Sequence, residues 1–96
     1  MSKTYSQIFL HIVFSTKDRF KLLNEELKPE LFKYINGIVN NKNQKLLRIN
    51  GTNDHVHLLL SIHADCLLSD LVKEIKTGST KFINDKNLAS KKFYWQ

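Results

Sequence analysis

The residues from His55 to Ile62 alternate in character with a period of two. Val56, Leu58, Leu60 and Ile62 form one series, and His55, His57, Leu59 and Ser61 form the other. Side chains alternate faces along a strand, so this pattern requires a β-strand whose Val-Leu-Leu-Ile face lies on a core. The same geometry turns His55 and His57 to one side and Val56 to the other. Two imidazoles on one face of a rigid strand can serve as two ligands of one divalent metal ion. The plainer reading of such a pair is decoration of a strand surface. Asp54 points away if the strand begins at His55, and His63 lies further along, beyond the pair.

The rest of the chain supplies what such a strand needs to pack against. Tyr5 to Phe14 reads as a strand apolar on both faces, with Ile8, Leu10, Ile12 and Phe14 on one and Phe9, His11 and Val13 on the other. A strand buried on both sides belongs at the centre of its sheet. Residues 15–28 are polar and charged and read as a connection with a short helical turn. Pro29 suits the first turn of a helix, with Glu30 near its positive end. Leu31, Phe32, Ile35, Ile38 and Val39 then follow one helical face, and Asn40 to Asn43 end it. Gly37 inside this helix is read as the mark of a close contact.

Gln44 to Asn50 reads as a second strand, with Leu47 and Ile49 on one side and Arg48 on the other. Gly51-Thr52-Asn53-Asp54 has turn chemistry. Leu67 to about Asn84 is a second helix, with Leu68, Leu71, Val72, Ile75, Phe82 and Ile83 as its core side and Asp65 or Ser69 as its cap. Phe93-Tyr94-Trp95 reads as a fourth strand. The order β-α-β-β-α-β predicts an α+β fold of the ferredoxin-like, RRM-like type. In it a four-stranded antiparallel sheet carries two helices on one face, with the first and third strands central. The face bearing His55 and His57 is then left open.

At 96 residues, residues 1–96 form one small domain. The apolar fraction of 42% fits a globular chain. No apolar run approaches the ~20 residues of a membrane span, and no secretory leader is read at the N-terminus. A lone cysteine, Cys66, cannot form an internal disulfide, which fits a reducing cytoplasm. Fifteen Lys and Arg against nine Asp and Glu give a net charge of +6. Six lysines between Lys73 and Gln96 face only Glu74 and Asp85. A basic surface of this kind attracts phosphate backbones, although a solvated, lysine-rich surface is the commoner meaning of such charge.

The segment from Ile49 to Ser61 resembles the His-hydrophobe-His core of the single-tyrosine transposases of the insertion-sequence-200 type, within the HUH nuclease superfamily. His11 to Lys17 resembles that family's first strand and its exit. Leu68 to Lys76 resembles the start of its second helix, and Phe93-Tyr94-Trp95-Gln96 its Trp-Gln strand. The resemblance implies DNA transposition and recombination. Such proteins cut single-stranded DNA with a tyrosine nucleophile, forming a 5′-phosphotyrosine link and freeing a 3′-OH. They recognise hairpins, and they work as homodimers whose sheets join edge to edge. It also implies that His55 and His57, with a further side chain, hold Mg²⁺ or Mn²⁺ against the scissile phosphate.

In that family the catalytic tyrosine sits on a helix after the Trp-Gln strand, so it is expected beyond Gln96. None of Tyr5, Tyr34 and Tyr94 matches its position: Tyr34 falls near a core-facing stripe, and Tyr94 reads as sheet packing. Strand cleavage is therefore not expected of these 96 residues alone. Candidate DNA contacts are Arg48, Lys73, Lys76, Lys81, Lys91 and Lys92. The competing reading is a non-catalytic DNA-hairpin-binding remnant or regulator. An RNA-binding sheet of the same topology is disfavoured, because the strand at His55 lacks the aromatics that stack bases. A small metabolic enzyme is disfavoured too, since no Gly-rich loop or paired carboxylates are visible.

Overall fold

The computed structural model describes residues 7–96, so Tyr5 lies outside it. The elements in order are β1 (Gln7–Ser15), a 3-10 turn (Lys17–Arg19), α1 (Leu27–Asn41), β2 (Lys45–Gly51), β3 (His55–His63) and α2 (Leu68–Asp85). The three strands form an antiparallel sheet in the order β1-β3-β2. Both helices pack on its inner face, where Phe14, Val56, Leu58, Leu60 and Ile62 meet Leu31, Ile35, Val39, Leu71, Ile75 and Ile83. The expected α+β architecture is present, with β3 at the centre of the described sheet.

The expected fourth strand is reduced to a single antiparallel bridge, Thr16 to Trp95. Lys17 N–H donates to Tyr94 O (2.9 Å) and Gln96 N–H to Ser15 O (2.8 Å). The pairing goes no further because α2 claims the preceding residue. Asn84 takes Phe93 N–H through Oδ1 (2.7 Å) and gives Nδ2–H to Phe93 O (2.9 Å). Phe93 and Trp95 are nonetheless buried: their rings meet edge to face at 4.8 Å, and Trp95 lies 5.7 Å from Phe14. Trp95 Nε1–H donates to Ser79 Oγ (2.8 Å), whose own proton goes to Ile75 O (2.5 Å).

Among the described residues nothing covers the outer face of the sheet, so β1 is not buried on both faces as its composition predicts. Leu10, Ile12 and Phe14 turn inward, while Phe9 and Val13 are 63% and 49% exposed. β2 also departs from simple alternation. A bulge between Leu46 and Arg48 throws Leu47 outward, so Leu46 and Ile49 face the core opposite Leu60 and Leu58. The polar connection hides two core residues, Leu22 and Leu23, both buried.

The helix ends follow side-chain chemistry. Asn24 Oδ1 accepts the backbone N–H groups of Glu26 and Leu27 (3.0 and 2.7 Å) at the start of α1. Neither Asp65 nor Ser69 caps α2; Leu67 occupies that place without a side-chain bond. Both helices stop where an asparagine takes the left-handed conformation, Asn43 (φ 59°) after α1 and Asn87 (φ 52°) after α2. The close helix contact lies at Gly78, where an added Cβ would stand 3.1 Å from Ile38 Cδ1 and 3.2 Å from the Tyr34 hydroxyl. Gly37 faces open space, contrary to the expectation of a close contact there.

Candidate active site on the open sheet face

Strand alternation does what the sequence predicts on β3. Val56, Leu58 and Leu60 are fully buried, and His55 and His57 lie half-buried on the opposite face. Their rings approach edge to face with centroids 4.8 Å apart. His63 lies at the far end of β3, exposed, with its backbone N–H held by Gln44 Oε1; its ring is not part of this cluster.

Asp54 does not point away. The turn Gly51–Asp54 folds back so that Thr52 N–H bonds His55 O (2.9 Å), and the Asp54 carboxylate reaches His55 Nδ1 (Oδ1, 2.8 Å). Thr52 Oγ1 lies 2.9 Å from the same ring nitrogen and 3.2 Å from Asp54 Oδ1. Arg19 Nε donates to Asp54 Oδ2 at 3.4 Å. It is brought there by the 3-10 turn, in which Asp18 and Arg19 both have φ of 56°. The His55 hydrogen bond, with Arg19 and Thr52 behind it, holds the Asp54 carboxyl below the usual carboxylate range despite partial burial. A carboxylate can only accept, so His55 carries its proton on Nδ1, and the lone pair of the neutral ring lies on Nε2. This carboxylate–imidazole pairing is the usual support of a metal-binding histidine.

A further imidazole joins from β1. His11 Nε2 lies 3.3 Å from His57 Nδ1, and the two rings stack at 5.3 Å with planes 25° apart. Sequence reading places His11 with Phe9 and Val13 on one face of β1, and only the structure says which β3 residue it meets. The antiparallel register, with His11 opposite Leu59 and Val13 opposite His57, sets that contact.

By donor chemistry, two imidazoles, one with its tautomer fixed, suit a divalent metal as two of its ligands. Among the described residues no group of three or more His, Cys, Asp or Glu side chains is arranged to hold a metal, so the remaining positions fall to other groups.

The basic candidates do not form one surface. Arg48 stands opposite Leu59 on the sheet face of the histidine pair. Lys73, Lys76 and Lys81 belong to α2, in the helix layer. Lys76 donates to Gln96 O (2.9 Å), and Lys81 is ion-paired with Asp85. Lys91 lies over the Phe20 ring, and Lys92 approaches Tyr94 at 5.7 Å from the ring centre. Tyr34 stacks on Phe82 (4.4 Å), the packing role its position predicts. Tyr94, expected to pack within a sheet, is 45% exposed beside Lys17 and Lys92.

The fold is that of transposase structures. A Deinococcus radiodurans R1 protein provisionally assigned as a transposase superimposes with a TM-score of 0.79 at 24% identity, over 88% of this chain and 64% of its own. A REP-associated tyrosine transposase bound to a REP hairpin superimposes with a TM-score of 0.67 at 16% identity, over 100% of this chain and 59% of its own. The chain thus spans less than two thirds of either structure. No protein of curated function matches it by sequence. The family model described as "Transposase IS200 like" matches residues 4–96, and the chain belongs to that family.

Proposed function

We propose that the chain acts in DNA transposition, binding single-stranded DNA that carries hairpins and taking part in metal-dependent strand cleavage and transfer. The observation that carries this reading is the His55–His57 pair on the open face, with Asp54 fixing the His55 tautomer, in a chain of the IS200-like transposase family. The similar fold of a transposase bound to a REP hairpin supports hairpin DNA as the ligand. In this reading His55 and His57 hold Mg²⁺ or Mn²⁺, which when bound polarises the scissile phosphate. Arg48, on the same sheet face, and Lys73, Lys91 and Lys92, all exposed, supply phosphate contacts. Lys76 and Lys81 are tied to Gln96 and Asp85 and contribute charge to the field.

The edge of β1 away from β3 carries no ladder partner from Gln7 to Phe14 among the described residues, which supports pairing with a second copy. No helix among the described residues is long and apolar enough to cross a membrane. A cytoplasmic location, beside cellular DNA, follows from the proposed activity.

A gel-shift titration with hairpin-bearing single-stranded DNA tests the reading. Saturable binding that weakens steeply with salt is expected, together with Mn²⁺ binding that is lost in the His55→Ala, His57→Ala double variant. Absence of both from the folded chain would refute it. One observation favours the non-catalytic alternative for these residues: neither Tyr34, stacked on Phe82, nor Tyr94, beside Lys17 and Lys92, bonds to or stacks on the histidine pair. Covalent capture of DNA on Tyr34 or Tyr94 would exclude that alternative.

A further inference from the structure

The two histidines of the pair are held in different ways. His55 has a carboxylate behind it, but no acidic side chain bonds to His57, whose Nδ1 partner is His11 Nε2. Between two neutral imidazoles one nitrogen donates and the other accepts. If His57 Nδ1 donates, the lone pair of the ring lies on Nε2, as it does in His55. If His11 Nε2 donates, the proton of His57 must sit on Nε2, and no lone pair is left there for a metal.

We infer that His11 is a positioning residue: its Nε2 accepts the Nδ1–H of His57, setting the tautomer that leaves the lone pair of His57 on Nε2, as Asp54 leaves that of His55. His11 then does for His57 what Asp54 does for His55. Three features of the site suit His11 to this role. The stacked rings at 5.3 Å, with planes 25° apart, fix the orientation of His57 as well as its proton. The contact spans two strands in fixed antiparallel register, so it does not depend on loop geometry. An imidazole is also an acceptor without charge. On an open face proposed to receive phosphates, a second carboxylate would repel the ligand, whereas a neutral ring does not. His11 is itself exposed and adds no apolar surface to the core.

The consequence for metal binding rests on the proposed function, but the tautomer does not. Two measurements on the full chain separate them. Long-range proton–nitrogen NMR reads the His57 tautomer directly. Nδ1–H is expected in the parent protein, with that preference lost in His11→Phe, which keeps a flat ring and removes the acceptor. Calorimetric titration with MnCl₂ should then show affinity about 10–100-fold weaker in His11→Phe, the usual loss when the partner of a ligating histidine is removed. His11→Gln, which keeps an acceptor, should recover most of it.

An Nε2–H tautomer of His57 in the parent protein overturns the inference. So does unchanged Mn²⁺ affinity in a folded His11→Phe. If the parent protein binds no Mn²⁺ while His57 is Nδ1-protonated through His11, the positioning contact stands and the metal-binding reading falls.

Discussion

Replacing Ser79 with alanine should destabilise the protein through one buried hydrogen bond. Ser79 and Trp95 are both buried, and the indole N–H of Trp95 donates to Ser79 Oγ at 2.8 Å. Ile75 O, which receives the serine proton, loses little, since it lies within the α2 hydrogen-bond ladder. The cost is therefore that of an orphaned indole donor, about 1–3 kcal/mol. Alanine returns roughly 0.5 kcal/mol through its better helix propensity. The net expectation is a loss of about 0.5–2.5 kcal/mol. For a domain of this size that is a fall in Tm of roughly 2–20 °C, at about 4–8 °C per kcal/mol.

Urea unfolding followed by circular dichroism measures this loss, with Thr77→Ala as the control. Thr77 makes the same kind of bond to the carbonyl four residues back, at an exposed position, and its replacement should change stability by less than about 0.5 kcal/mol. Adding Trp95→Phe removes the donor, so the double variant should lose less than the sum of the single ones. Ser79→Ala as stable as the parent, or strictly additive with Trp95→Phe, would refute the reasoning.

Other outcomes follow from the site and the glycines. Asp54→Asn should weaken Mn²⁺ binding about 10–100-fold without unfolding the protein, as read by electron paramagnetic resonance of free Mn²⁺; full affinity would remove Asp54 from the site. Because the folded-state value of Asp54 is depressed, its stabilisation is complete above the unfolded carboxylate pKa of about 3.9 and is lost as pH falls through the lower folded value. Acid titration of the Asp54→Asn variant should therefore show a shallower loss of stability below about pH 4 than the parent, and identical curves would contradict the His55 contact. Gly51→Ala would put a Cβ 2.6 Å from His55 O and 2.9 Å from Val56 Cγ1, and thermal unfolding should show a loss of about 1–3 kcal/mol. Gly37→Ala, in open space within α1, should gain about 0.5–1 kcal/mol in the same assay.

The elements legible in the sequence were those in which one periodicity dominates. β3 alternates without interruption from His55 to Ile62, and its inner and outer faces fall as the pattern requires. The core stripe of α1 and the asparagines that end it are equally local signals. What escaped reading depended on partners distant in sequence. Whether β1 is buried on both faces depends on what covers the outer face of the sheet, and how far residues 93–96 pair with its edge depends on Asn84, which holds Phe93. The β2 bulge shifts Leu47 outward because the register with β3 is set on both sides of it. Leu22 and Leu23 are buried by chain path, since Leu23 N–H is held by Asn53 O, and their polar neighbours conceal this.

At the site, the histidine pair was visible as a spacing. The turn Thr52-Asn53-Asp54 carried a hint of the Asp54 contact, since short polar side chains there fold back on their own backbone. Arg19 and His11 were visible only as residue types, because their partners, Asp54 and His57, are chosen by a strained turn and by strand register.

Trp95 is the sole tryptophan of the chain, and its indole is packed among Phe14, Phe93 and Ser79. Emission excited at the long-wavelength edge of the near-ultraviolet, where tyrosine does not absorb, therefore comes from one place, the seam where residues 93–96 close against the exit of β1. Lifting of that seam would red-shift the emission while the helical and sheet signals stayed intact. The molecule thus carries a native optical gauge of how its last residues are seated, and it requires no label.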